Sequence, residues 1–375
     1  MAVDSRRIEA LDGFRALAVL LVISFHYFSR WTPPRFSQNL YPYGDRFARF
    51  ALFDHGYLGV ELFFIVSGFV ISLTLFASSN GIDFALRRFA RLFPSMLLCS
   101  ALTFAFLAVL PVKYFNLAPI DFLPSLSFSD PYLWKAMFGR DFNYIDGAYW
   151  SLFVEVRFYF WACLIFFVFG QERFLGAFSI FLNLALTLFA VGQAVPGTFL
   201  STVVEWALFP SHLPWFVAGV GFYFLHRDSR NKLARLLVTE TALVILLSSV
   251  RSNSISEIPF CLAFYALFAL FVLCPRWLRP FTYKPVTLVG AASYSLYLLH
   301  QNLGVTLIAT IGGALSPNPG AWSAFIAVGV GIALIAVSAL IYQCWEMPAR
   351  RILLALGRGA LKQPHARTRA LLTGR

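Results

Sequence analysis

The sequence predicts an all-α integral membrane protein with about ten transmembrane helices and both termini in the cytoplasm. Three observations carry that reading. Of 375 residues, 59% are hydrophobic and only 13% charged, where a soluble domain keeps roughly 25% charged residues. Mean hydropathy is +0.71. Apolar stretches of about 20 residues, the length that crosses a bilayer, follow one another with short gaps. The Lys and Arg residues concentrate in alternate gaps, as cytoplasmic loops do.

In chain order, spans are expected near 11–29, 57–78, 88–110, 148–169, 174–194, 206–226, 233–251, 255–274, 286–309 and 322–345. The first apolar run, Leu11 to Phe28, holds Asp12 and Arg15 and lacks a small-x-small cleavage pattern. It reads as a retained span, not a signal peptide. Short turns divide the stretches between 148 and 194 and between 233 and 274. The segments 30–56 and 111–147 are long, outward-facing and rich in Pro, Asp and aromatics. Long loops in a compact protein often carry function, although Trp and Tyr there also serve as interfacial anchors. No repeat of fixed period is visible. The organisation is one transmembrane domain, 1–351, followed by a basic cytoplasmic tail, 352–375, lying against anionic lipid.

With the N-terminus inside, twenty of the 30 Lys and Arg residues fall on the cytoplasmic side, eight outside and two (Arg15 and Arg157) within spans. The outer loops are the longer ones, so the contrast in density is greater still. This distribution also accounts for the net charge of +12 and removes the need for a nucleic-acid partner. Cys99, Cys163, Cys261, Cys274 and Cys344 are scattered through apolar stretches without a C-x-x-C pair. They read as inert thiols, with neither a disulfide framework nor a metal site expected.

Ionisable residues inside a bilayer cost about 2.5–3.5 kcal/mol each on insertion scales, so they mark function or pairing. Asp12, Arg15, His26, Glu61, Glu155, Arg157, His300 and Glu346 are such residues. Arg15 and His26 stand eleven residues apart, almost three helical turns, so they share a face about 16 Å apart along the axis. Simple alternatives are that Arg15 snorkels to the inner headgroups and that His26 caps the outer end. Glu61 and Glu155 open spans at the outer level, where a carboxylate beside His26 would fix its tautomer and raise its basicity. A structural salt bridge is the alternative for each, with Arg157 a candidate partner near Glu155. Arg87, Arg88 and Arg91 cluster at an inner span end, as loop arginines do. Arg88 and Arg91, three apart on one face, also suit phosphate. His300 either lines the same cavity or is a buried, hydrogen-bonded histidine of the bundle. Glu346 reads as a cap near Arg350 and Arg351. A phosphate site inside and a histidine site outside would suit a long donor such as acyl-coenzyme A, with His26 as general base.

Leu11-Asp12-Gly13-Phe14-Arg15-Ala16 followed by His26, and Gly59-Val60-Glu61-Leu62-Phe63-Phe64-Ile65-Val66-Ser67-Gly68-Phe69, resemble motifs of the membrane acyltransferase 3 family. So do Arg88-Phe89-Ala90-Arg91, Trp150-Ser151-Leu152 with Glu155, the Ser293–His300 segment and Glu346-Met347-Pro348. They come in the family's order from about residue 8 to 351. Glu61 stands where the family more often has Asp, which keeps the charge and adds a methylene.

The resemblance implies transfer of an acyl group, commonly acetyl, from acyl-coenzyme A to a surface or exported carbohydrate. It implies a catalytic His26 and donor binding by Arg15, Arg88 and Arg91, and makes Trp150, Ser151 and His300 candidates for the substrate cavity. Some members carry a further C-terminal hydrolase-like domain, for which 375 residues leave no room. The expected protein is thus a multi-pass O-acetyltransferase of the bacterial inner membrane. Acetyl-CoA or another acyl-CoA is the donor, no metal is required, and the acceptor is a carbohydrate or glycolipid. Membrane lipid surrounds it, and a homo-oligomer is compatible with the sequence. The alternative is a transporter or flippase with the same polar residues along a pathway; a catalytically inactive scaffold is a third.

Overall fold

The computed structural model describes residues 5–110, 114–315 and 320–358. Lys113 and most of the expected basic tail, with Lys362, Arg367, Arg369 and Arg375, lie outside the described residues. Among the described residues there are helices and no strands. The principal helices are α1 (Ser5–Phe28), α2 (Gly59–Phe76), α3 (Gly81–Val109) and α4 (Trp150–Ala194). They continue with α5 (Phe199–Leu208), α6 (Leu213–Arg227), α7 (Lys232–Arg251) and α8 (Ile258–Leu273). The last four are α9 (Lys284–Ala291), α10 (Ser293–Leu299), α11 (Asn302–Leu315) and α12 (Ala324–Ile341).

Eight helical stretches among the described residues are long and apolar enough to cross a membrane. The chain is therefore a multi-pass, all-α membrane protein. The longest stretch, Gly147–Ala194, contains two of the expected spans. Gly170 interrupts it with φ 79 and ψ 168, a backbone that glycine adopts without steric cost. Beyond it the chain turns back. The Phe158 and Phe178 rings lie 5.9 Å apart and the Trp161 and Phe181 rings 5.0 Å, whereas twenty residues of straight helix span about 30 Å.

The expected span 286–309 is not one helix but three, α9, α10 and α11, with breaks at Ala292 and at His300–Gln301. The reason is its polar content. Ser293, Ser295, His300, Gln301 and Asn302 are all buried, and several of them bond to neighbouring elements. Asn302 donates its backbone N–H to Asp146 Oδ2 at 2.7 Å, and its Nδ2 donates to the Ile145 carbonyl at 3.0 Å.

Helix starts elsewhere are capped by the residue types that favour it. Asn80 accepts from the Asp83 N–H and Asn231 from the Ala234 N–H. The α2–α6 crossing depends on small residues, as membrane helix contacts commonly do. A Cβ on Gly68 would stand 2.0 Å from the Phe216 carbonyl oxygen, and one on Gly219 2.1 Å from that of Ile65. Around this crossing, aromatic rings fill the core: Phe64 stacks on Phe216 and Phe216 on Phe158, each at 4.3 Å. The tight crossing sets Ser67 on α2 facing α4, where the site begins.

Candidate active site

A cavity opens between α1, α2, α3, α4 and α10, with Arg15, Ser67, Arg88, Arg91, Ser151, Glu155 and Tyr297 on its walls. Its cationic end gathers three guanidiniums from two helices. Arg15 pairs with Asp12 at 2.7 Å, one turn earlier on α1. Arg91 pairs with Glu346 at 2.9 Å. Glu346 is fully buried and also accepts from Ser95 at 3.0 Å and Ser295 at 3.3 Å. This corrects the expectation of a cap near Arg350 and Arg351. A carboxylate with no exposure needs a cation and several donors, and α3 supplies the cation. Arg88 differs from its neighbours. It donates to Thr74 Oγ1 and lies against the Phe84 and Tyr159 rings. It forms no ion pair among the described residues, and its Nε is buried without a hydrogen-bond partner. Arg87 faces away and pairs with Asp83 at 2.9 Å.

Midway along the cavity, Ser67 on α2 donates to Glu155 Oε1 on α4. At the far end, Ser151 and the Tyr297 hydroxyl are 2.7 Å apart, and Tyr297 donates to the Ala148 carbonyl at 2.9 Å. The Tyr297 ring lies 5.3 Å from that of His300. His300 Nε2 is in turn 3.2 Å from His26 Nδ1.

The hydrogen-bond partners assign the tautomers. A carbonyl can only accept, so His300 Nδ1, 2.6 Å from the Tyr297 oxygen, carries a proton. His26 Nδ1, 2.9 Å from the Val22 oxygen, carries one too. In the neutral rings both Nε2 atoms then hold lone pairs. That of His300 accepts a share of the His26 Nδ1–H, and that of His26 is left free to take a proton.

Among the described residues neither Glu61 nor Glu155, the carboxylates expected beside His26, is hydrogen-bonded to it. Glu155 is bonded to Ser67, and Glu61 Oε1 accepts from His212 Nδ1 at 3.0 Å. Glu61 and His212 border a second pocket, separate from the central cavity. Trp150 and Phe64 pack on the His212 ring at 5.2 and 5.5 Å. Trp150 therefore supports that pair, while Ser151 lines the central cavity. Glu61 faces away from His26 because α2 turns its Phe63 toward Tyr297 (5.9 Å), and neighbouring positions on a helix point in different directions. Arg157 forms no ion pair among the described residues. It lies on the Trp206 and Phe209 rings and donates to the Phe153 and Trp206 carbonyls.

Two residues of the site escape a reading of the sequence. His212 sits in an apolar stretch, and that placement alone would have flagged it. Asp146 sits in a loop with many polar residues and carries no such signal. It is wholly buried and accepts from the Ala148 and Asn302 N–H groups at 2.9 and 2.7 Å. Burial pushes its carboxyl up to about 7, against the downward pull of those two bonds.

The fold and the cavity define a class: a multi-pass membrane protein with three part-buried arginines on the wall of an internal cavity and a histidine pair behind Tyr297 at its far end. The chain belongs to the acyltransferase 3 family, whose model, described as an acyltransferase domain, matches residues 8–342. It is similar to the peptidoglycan O-acetyltransferase OatA of Listeria monocytogenes, with 24% identity over 92% of this chain and 56% of that protein. It is also similar to a Bacillus subtilis protein named "Putative peptidoglycan O-acetyltransferase YrhL", with 29% identity over 41% of this chain and 23% of that protein. The chain thus covers less than two thirds of the length of either relative. No solved structure matches it.

Proposed function

We propose that this protein is an O-acetyltransferase of the bacterial inner membrane that uses acetyl-CoA from the cytoplasm and acetylates a hydroxyl of a cell-wall or other exported carbohydrate. The single observation that carries the reading is Arg88: a guanidinium on the cavity wall that forms no ion pair among the described residues and whose Nε is buried without a hydrogen-bond partner. A cation so placed favours an anionic ligand, because removing it from water is costly until an anion arrives. The phosphates of coenzyme A, with acetyl-CoA as a donor substrate, suit the fork geometry of Arg88 and its neighbours Arg15 and Arg91.

In this reading the pantetheine arm extends along the cavity past Ser67 and Glu155 and brings the thioester toward Tyr297 and the histidines. His26 Nε2 takes the proton of the acceptor hydroxyl as its oxygen attacks the thioester carbonyl. The carbon–sulfur bond breaks, coenzyme A leaves as the thiol after receiving a proton, and the acetyl ester remains on the acceptor. His300 steadies the imidazolium formed on His26 by accepting from Nδ1. The names of the relatives support peptidoglycan as the acceptor class, and membership of an acyltransferase family weighs against the transporter or flippase alternative.

The test uses purified protein, acetyl-CoA and a soluble peptidoglycan fragment. Wild type binds acetyl-CoA and releases coenzyme A. Arg88→Ala/Arg91→Ala loses donor binding. His26→Ala binds but does not turn over. Absence of affinity for any acyl-CoA in wild type sinks the reading.

A further inference from the structure

We propose that Asp146 is a positioning residue for the transfer step: by capping two helix starts at once, it holds the chain break that presents His300 to His26. The inference rests on the reading that His26 takes the acceptor proton.

Asp146 has no exposure and no ion pair among the described residues. A buried carboxylate without a cation is unfavourable unless its oxygens are satisfied by donors. Here the donors are backbone N–H groups of two separate elements. Oδ1 accepts from Ala148, in the short turn that leads into α4, and Oδ2 accepts from Asn302, the first residue of α11. Either helix start alone would accept a neutral cap such as Ser or Asn. Serving both with separate oxygens calls for two acceptors on one side chain, which is what distinguishes Asp from Asn.

The two elements are stitched together around it. Asn302 Nδ2 donates to the Ile145 carbonyl at 3.0 Å, Tyr149 to the Leu298 carbonyl at 3.2 Å and Tyr297 to the Ala148 carbonyl at 2.9 Å. His300 lies between the clasp's partners Tyr297 and Leu298 on one side and Asn302 on the other. On its N-terminal side its backbone N–H is fixed to the Leu296 carbonyl at 3.1 Å. On its C-terminal side, two residues on, Asp146 pins Asn302. The break between α10 and α11 is thereby held at one angle, and the His300 ring meets His26 at a centroid distance of 4.8 Å. Loss of the pin would free the break and, with it, the His300 contact that shares the His26 Nδ1 proton with the Val22 carbonyl. Asp146 touches neither donor nor acceptor in this arrangement; its effect passes through His300.

The experiment is a double-mutant cycle with acetyl-CoA and an N-acetylglucosamine–N-acetylmuramic acid tetrasaccharide as acceptor. Asp146→Asn keeps the volume and one acceptor but offers an amide N–H₂ where the second N–H needs an oxygen. Its kcat is expected to fall about tenfold, with the KM for acetyl-CoA within about twofold of wild type, the pattern of an interaction that matters only in the transition state. His300→Ala is expected to lose a similar factor, and the double variant no more than the worse single, because the two share one contact.

An unchanged kcat in Asp146→Asn, or losses that multiply in the double variant, would overturn the proposal. Asp146→Ser, which still caps Ala148, is the second variant. If neither retains acetyl-CoA binding, Asp146 is a purely structural clasp and the positioning role is refuted. His26→Ala in the same assay separates the two levels. Full turnover there removes the reading of His26 itself, whereas an inactive His26→Ala beside multiplicative losses removes only the role of Asp146.

Discussion

Arg88 and Arg15 both reach the cavity, but they bring different amounts of free charge to it. The Arg15 guanidinium already shares its charge with Asp12 at 2.7 Å, and Arg88 has no carboxylate within ion-pairing distance among the described residues. A lysine keeps the charge and loses the planar fork. Arg88→Lys is therefore expected to weaken acetyl-CoA binding about tenfold, or about 1.4 kcal/mol, and Arg15→Lys by less. Calorimetric titration of the two variants checks the order, and a stronger effect at Arg15 contradicts it. The shared face of Arg88 and Arg91 was legible in the sequence because helical geometry fixes which residues of one helix lie together, whereas Arg15, on another helix, joined them only through the family resemblance. The partner of Glu61 was not, since it lies 151 residues away on a helix whose facing no local pattern encodes. The histidine–carboxylate pair anticipated at His26 exists in this protein, but at His212.

At the scale of elements, the same limit appears in the segment 286–309. Its hydropathy satisfies the length rule for one span, yet its buried polar residues are bonded to the turn before α4, and the helix breaks to let them reach it. The hairpin at Gly170 agrees with the expected division of 148–194 into two spans, which the sequence marks only by a short turn and the length of the apolar run. The α2–α6 crossing is a property of neither helix alone. Gly68→Ala places a methyl 2.0 Å from the Phe216 carbonyl oxygen, where only backbone movement relieves the clash. Overpacking of this kind costs about 1–3 kcal/mol. A lowered thermal midpoint in detergent is the expected result, and Gly313→Ala, where nothing lies within 4 Å, is the control that should leave it unchanged.

For the molecule as a whole, composition settles the solvent and charge distribution sets the orientation. The inner loops carry the greater density of Lys and Arg, so both termini are expected on the cytoplasmic side. A reporter protein that matures only in the cytoplasm, fused after Arg375, should be active, and one that matures only outside should not. The ion pair between Arg91 and Glu346 joins residues 255 positions apart, which bears on the order of biogenesis. At about 5–20 residues per second, the ribosome needs roughly 13 to 50 seconds to add Glu346 after Arg91. Throughout that interval α3 is made and the later helices follow without the counter-charge that completes the cavity floor. The cavity that Arg91 lines thus gains its ion pair only after the later helices are made, and an insertion intermediate lacking the final helix holds a cation without the carboxylate of Glu346 beside it.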